Sequence, residues 1–135
     1  MTWDVVFHDQ FALEFEQLKV GVQDELLAHA VLLRDYGPGL GRPTVDTLKG
    51  SKHANMKELR FSHGNDVWRV AFAFDPTRKA VLLVAGNKVG ADQRLFYKRL
   101  IDNADTRLTQ HLLPMKSELK TISTDLKEKQ RGKKT

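Results

Sequence analysis

Two runs of alternating residues joined by a turn signal constrain this chain more than any other feature. In Lys57 to His63 the apolar residues Leu59 and Phe61 alternate with Glu58, Arg60 and Ser62. In Val67 to Asp75, Trp68, Val70, Phe72 and Phe74 alternate with Arg69, Ala71 and Ala73. Period-two patterns of this kind read as strands with one core face each. A tight turn at Gly64-Asn65 would pair Phe61 with Trp68 and Leu59 with Val70, and a slip of one residue would scatter those four groups over both faces. The same register sets Arg60 opposite Arg69 on the non-core face. Like charges facing each other across strands cost up to about 1 kcal/mol, so something must relieve them. Glu58, next but one on that face, is one candidate, and a bound anion such as a phosphodiester is the other.

The rest of the chain supplies a frame for this hairpin. Asp75-Pro76-Thr77-Arg78 carries turn chemistry, and Lys79 to Val89 follows as a nearly continuous apolar run, expected for a central strand or one covered on both faces. Thr2 to His8 is a short strand. Asp9 then caps a helix bearing Phe11, Phe15 and Leu18, and Val20-Gly21 interrupts it. A second helix with Leu26, Leu27, Ala30 and Leu33 ends at Tyr36-Gly37-Pro38. Gly37 to Thr47, rich in glycine and proline, reads as a loop. A third helix begins near Asp92, places Phe96, Leu100, Ala104, Leu108 and Leu112 on one side, and is expected to stop at Pro114. Leu119, Ile122 and Leu126 then recur at helical spacing, and Lys127 to Thr135, with no apolar residue, is expected to be disordered. The predicted fold is α+β: an N-terminal strand, a helical hairpin, a three-stranded antiparallel meander and a C-terminal helix, with the helices on one face of the sheet and the other face open. Residues 1–115 form the domain, and 116–135 a basic tail, partly helical or disordered.

Charge is unevenly distributed. Residues 1–48 carry 3 basic against 8 acidic side chains, residues 49–115 carry 12 against 6, and residues 116–135 carry 7 against 3. An acidic front followed by a basic sheet and tail would steer a polyanion, or an acidic protein, toward the sheet. The 135 residues contain no cysteine, which excludes disulfides and thiolate chemistry. No histidine pair at helical spacing and no carboxylate cage is present, so no metal and no cofactor is expected. Gly37-Pro38-Gly39-Leu40-Gly41 follows a helix and opens none, and it reads as a linker, not a phosphate loop. No leader pattern and no run of membrane-spanning length is visible, so a soluble cytoplasmic protein with no membrane partner is expected.

The ordered set Leu48-Lys49-Gly50, Lys57-Glu58-Leu59-Arg60, Trp68-Arg69-Val70-Ala71-Phe72, Gly86-Asn87-Lys88, Tyr97, Ala104 and Leu108 resembles the RelE/ParE superfamily of bacterial toxins, in particular its phage-derived HigB-like branch. The resemblance covers about residues 2–112. It implies a RelE-like fold and a toxin of a type II toxin–antitoxin system that enters the ribosomal A site and cleaves mRNA. It also implies a cognate antitoxin, a HigA-like helix-turn-helix protein, and contacts to mRNA and ribosomal RNA. By position, Arg69 falls where such enzymes carry a catalytic arginine, Lys88 on the basic site after the last strand, and Tyr97 near a base-stacking tyrosine. Glu58 departs from the pattern, because RelE-like members carry lysine immediately before the Leu-Arg pair.

Metal-independent RNA cleavage needs a group to take the 2′-hydroxyl proton, positive charge on the phosphate, and a proton donor for the leaving oxygen. Arg60 and Arg69 can grip a phosphate through paired donors, and Lys88, crowded by cations, can act as a base. His63 at the hairpin tip suits acid or base work, and Tyr97 stacking or proton donation. Lys52, His53, Lys57, Arg94 and Lys98 are the candidate RNA contacts. Each has a bland alternative: an arginine paired with Glu58, a solvated lysine, a packed tyrosine. Two further functions remain open: a ParE-like toxin acting on gyrase without nuclease activity, and a phage-derived binding module using its basic face.

Overall fold

A computed structural model of the chain describes residues 2–90 and 92–132, with side chains described as far as residue 113. Among the described residues the order is β1 (Asp4–Phe7), α1 (Asp9–Glu16), α2 (Val20–Tyr36), β2 (Val45–Thr47), β3 (Lys57–His63), β4 (Asp66–Phe74), β5 (Lys79–Asn87) and α3 (Gln93–Gly132). The sheet is ordered β1-β5-β4-β3-β2. β1 runs parallel to β5, and the other neighbours are antiparallel. The meander read from the sequence is therefore the middle of a five-stranded sheet. β2 lies within the stretch read as a loop, where three residues between prolines and glycines carry too little pattern to register as a strand.

The hairpin register holds at every pair: Phe61 faces Trp68, Leu59 faces Val70 and Arg60 faces Arg69. Leu59, Phe61, Val70 and Phe72 join Phe11, Val22, Leu26 and Leu33 in one core layer beneath α1 and α2. Trp68 sits at the rim of that layer, half-buried and stacked on Phe61 with ring centroids 6.4 Å apart.

The expectation that all helices share one face is corrected. α3 covers the opposite face, where Leu100, Ala104 and Leu108 pack on Ala71, Ala73, Val81, Leu83 and Val84. Ala71 and Ala73 looked like non-core positions because they are small. They are fully buried, and their size lets the helix approach the strand. β5 shows why its run is so apolar: Ala80 and Leu82 serve the first layer while Val81, Leu83 and Val84 serve the second. Ala71 pairs with Val84 and Phe72 with Leu82, so Leu83 is an extra residue, and this bulge turns both Leu83 and Val84 toward α3.

The ends of the elements correct three further expectations. His8, not Asp9, caps α1, its Nδ1 accepting from the Gln10 N–H at 3.2 Å. Burial first, then the nearby Arg107, holds the His8 pKa below the ordinary histidine value, which keeps that nitrogen an acceptor. α2 starts at Val20, with no break inside it, and closes as read at Gly37, which adopts φ +54°. α3 runs through Pro114 to Gly132, so neither the stop at Pro114 nor disorder from Lys127 holds. A proline inside a helix costs about 3 kcal/mol, which a long helix already anchored through Leu108 and Leu112 can absorb by bending. Residues 133–135 and the side chains of Leu119, Ile122 and Leu126 lie outside the described residues.

Asp75 ties α3 to the β4–β5 turn. Its Oδ1 accepts from Thr77 N, Thr77 Oγ1 and Lys79 N at 2.8 to 3.0 Å, and its Oδ2 accepts from His111 Nε2 at 2.9 Å. Burial raises its pKa, but the bonds from His111, Thr77 and Lys79 outweigh it and hold the carboxyl below the ordinary aspartate value. A carboxylate with a depressed folded pKa stabilises the fold above its unfolded pKa, and that stability is lost as pH falls through the folded one. The stability gap between the wild type and Asp75→Asn, measured by urea unfolding, should therefore narrow as pH drops below about 4; a gap that widens in acid would contradict the assignment. Phe72→Ala, which empties the middle of the first layer, should cost about 3 to 5 kcal/mol in the same assay.

Candidate functional site

Seating α3 on the Ala71/Ala73 face brings its first turns over the arginine pair. Gly86, opposite Arg69 on β5, permits the approach, since a Cβ there would stand 2.8 Å from Cε2 of Phe96. The Arg69 guanidinium carbon lies 5.6 Å from the Tyr97 ring centroid and 5.9 Å from that of Phe96. Contacts of this kind are weakly attractive cation–π pairs. Arg69 Nε is buried with no hydrogen-bond partner among the described residues.

Arg60 has turned elsewhere. Its Nε donates to Glu58 Oε1 at 2.7 Å, its Nη2 contacts the same oxygen, and Asp46 stands 4.0 Å away. The hydrogen bond to Glu58 raises the Arg60 pKa, so the group is cationic throughout the working range. One sequence expectation is corrected here, because the arginine-bearing face is covered, and of the two candidates for relieving the cross-strand repulsion the structure shows Glu58 paired with Arg60. The facing guanidinium pair therefore does not by itself demand a bound anion. Of the facing pair, Arg69 is the one without a carboxylate partner among the described residues.

Glu58 is the centre of the cluster. It is 2% exposed, and Oε1 receives Arg60 and the Tyr97 hydroxyl, the latter at 3.4 Å, while Oε2 is buried with no partner among the described residues. Burial, followed by the charge on Glu58, pushes the Tyr97 pKa above its ordinary value, so the phenol stays protonated and donates. A groove of about 320 Å³ opens here, its walls carrying Arg42, Lys49 and Arg60 against Asp46 and Glu58, with Tyr97 and Gln93 beside them. The backbone bond from Thr47, then Arg42 and Arg60, holds Asp46 below the usual carboxylate range.

The other sequence candidates divide. Lys88 reaches the groove rim through Gln93, Nζ to Oε1 2.9 Å. Arg94 and Lys98 are exposed on the first two turns of α3, beside Tyr97. His63 is not brought in. It shares the parity of Leu59 and Phe61 and lies over Gly21 at the start of α2, on the opposite face. Lys57 starts β3 on that same parity. Lys52 and His53 lie along α3, Lys52 N bonding Asp105 Oδ2 at 3.0 Å and His53 Nε2 meeting Thr109 Oγ1 at 3.0 Å, which is two to three helical turns beyond Tyr97. Sequence reasoning treated Glu58 as a counter-ion and a departure from the family pattern, Phe96 as a packing residue, and passed over Asp46. The glycine at 86 was the available signal for Phe96.

Among the described residues no group of three or more histidines, cysteines or carboxylates could hold a metal ion, and no helix is long and apolar enough to cross a membrane. Difference titration of the wild type against Tyr97→Phe, followed by phenolate absorbance, should show a transition above the ordinary tyrosine value of about 10. A transition at or below it would contradict the buried donor.

Comparison with known proteins bears on the family and the fold. The family model described as "Phage derived protein Gp49-like (DUF891)" matches residues 13–109. The chain is 48% identical over 90 residues to the putative toxin HigB2 of Mycobacterium tuberculosis, covering 65% of this chain and 44% of that protein. It is 49% identical over 76 residues to the putative toxin HigB3 of the same organism, covering 56% and 64%. The chain thus spans less than two thirds of the length of either relative. Among solved structures, a mutant of the E. coli toxin RelE in the free state superposes with a TM-score of 0.55 at 13% identity, over 79% of this chain and 98% of that one. The chain belongs to the phage-derived Gp49-like family, HigB-like in sequence and RelE-like in fold.

Proposed function

We propose that this chain is the toxin of a toxin–antitoxin pair and that it cleaves mRNA on the ribosome without a metal ion. The observation that carries the reading is Arg69: a guanidinium with a buried, unpartnered Nε, held between a sheet and two aromatic rings beside a cationic groove. An orphaned donor of this kind costs about 1 to 3 kcal/mol and is relieved by an acceptor such as a phosphate oxygen. Positive charge fixed in advance where a phosphate becomes more anionic is the largest service a protein can give to transesterification. The similarity to putative toxins HigB2 and HigB3 supports the toxin role, and in this reading the partner is a small helix-turn-helix antitoxin.

In this reading Arg69 binds the scissile phosphate, Arg60 and Lys88 supply field and contacts at the groove, and Tyr97 offers its ring face to a base and its hydroxyl to Glu58. Arg94 and Lys98 extend the cationic track along the exposed side of α3. His63 has no part, because the sheet separates it from the groove.

The test is expression of the wild type and Arg69→Ala in growing cells, with transcriptome-wide mapping of mRNA 5′ ends. The wild type should create new ends inside translated codons, and Arg69→Ala should lower them by about 10²- to 10³-fold while keeping the wild-type circular dichroism. Growth arrest with unchanged mRNA ends and altered DNA supercoiling would replace this reading with action on gyrase. Equal cleavage by Arg69→Ala would remove the residue from the site.

A further inference from the structure

The charges near the start of α3 form a two-by-two arrangement on the sheet. Asp46 on β2 faces Glu58 on β3, and Arg60 on β3 faces Arg69 on β4. Carboxylates directly opposite each other destabilise a sheet as facing arginines do. Arg60 offsets this from one side, bonding Glu58 and standing 4.0 Å from Asp46. The two acids then differ in access. Glu58 has 3% of its side chain exposed and Asp46 has 25%. Asp46 Oδ1 accepts from the Thr47 N–H at 2.8 Å, which fixes the direction of the carboxylate. Its Oδ2 meets Arg42 Nε at 3.2 Å, and Arg42 is 78% exposed, so this surface pair contributes little and gives way readily to a ligand. Of the two carboxylates on the groove walls, Asp46 is the one a ligand can reach.

The groups around Asp46 define what fits. Arg42, Lys49 and Arg60 on the same walls donate. Gln93 adds a neutral donor: Lys88 Nζ, which can only donate, meets Gln93 Oε1 at 2.9 Å, and this orients the amide and leaves Nε2 to donate. A ligand for the groove therefore needs N–H groups for one carboxylate, a carbonyl oxygen beside them for the amide, and negative charge nearby for the cations. A free amine is repelled by the three cations, whereas a nucleotide carries every one of these features. The volume of about 320 Å³ is at the small end for a ligand site and suits a single base. Guanine fits best among the RNA bases, because its N1–H and N2 amino group lie side by side for the two oxygens of a carboxylate, with O6 next to them. Uracil offers one N3–H between two carbonyls. Adenine and cytosine set a lone-pair ring nitrogen beside the amino group, and a carboxylate repels it.

We propose that Asp46 and Gln93 read a guanine of the bound RNA, Asp46 accepting from N1–H and the N2 amino group and Gln93 Nε2 donating to O6. The inference rests on the nuclease reading above and adds to it the base that the groove selects. Single-stranded RNA is commonly read in this way, on the Watson–Crick edge of an unpaired base. Arg42 moves aside from Asp46 when the base enters, and its guanidinium is then free for the phosphate backbone.

The experiment measures cleavage by the full chain on ribosomes programmed with mRNAs that differ at one codon position, each of the three positions being varied in turn. At one position the wild type should cleave the guanine message about tenfold faster than the adenine or cytosine message. Asp46→Asn, which replaces an acceptor by a donor, should bring that ratio to about one to two, while Asp35→Asn, on a surface pair with Arg34 outside the groove, should leave it as it was. Inosine in place of guanosine removes the N2 amino group alone and should lower the wild-type rate about fivefold, whereas 7-deazaguanosine, altered on the other edge of the base, should not. The inosine arm needs no variant and so holds even if Asp46→Asn folds poorly. Direct binding is independent of cleavage: followed at the Thr47 amide by NMR at neutral pH, guanosine 5′-monophosphate should bind the wild type about tenfold more tightly than adenosine 5′-monophosphate. A wild type that cleaves without preference for guanine, or whose preference survives Asp46→Asn or inosine, overturns the proposal and leaves the nuclease reading standing. A wild type that cleaves no RNA yet prefers the guanosine nucleotide supports the guanine site and sinks the nuclease reading. Equal affinity for the two nucleotides overturns the proposal whatever the cleavage result.

Discussion

The contact of α3 with the small-residue face of β4 and β5 governs the rest of this molecule. Ala71, Ala73 and Gly86 leave room on that face, and Leu100, Ala104, Leu108 and Phe96 fill it. Polar ties fix the helix in place along its length. Asp105 receives Ser51 and Lys52 N, Arg107 reaches both Glu14 and the Leu83 carbonyl, and His111 closes on Asp75. With the helix removed, Arg69 and Glu58 would be ordinary sheet-surface charges in water. Beneath it they stand in a medium where an unpaired donor or acceptor has a real cost.

Glu58 shows what that environment does to a charge. Carrying a carboxylate to 2% exposure is unfavourable unless its partners repay the lost hydration. Arg60 and Tyr97 do so at one oxygen only. The cluster thus leaves two buried atoms without a partner among the described residues, Glu58 Oε2 and Arg69 Nε.

Much of this was legible in the chain, and the misreadings have physical causes. The β3–β4 register followed from alternation alone, because a slip by one residue would have exposed four large apolar groups. The face carrying the arginines was misjudged because alanine and glycine look like surface residues in a strand until a helix is known to need the space. The β5 run held the correction, since a strand apolar on both sides must be covered on both sides. Of the candidates chosen from sequence, Arg60, Arg69 and Tyr97 lie around Glu58, and Lys88 reaches the same groove through Gln93. His63, His53 and Lys52 were chosen for their chemistry, and neither strand parity nor distance along α3 supports them. Glu58 was seen as a departure from the family pattern. Its one-sided coordination could not be read from sequence, because it depends on where Tyr97 arrives from a helix distant in the chain.

The account stands on Arg69 being the open cation of this surface. Two-dimensional NMR of the arginine Nε–Hε groups, recorded while a short RNA is added, addresses it directly. Arg69 should shift and saturate with the RNA, while Arg78, held over the Trp3 ring at 4.4 Å on another part of the molecule, stays still. A titration that moves Arg78 or other distant arginines and leaves Arg69 unchanged would contradict the account.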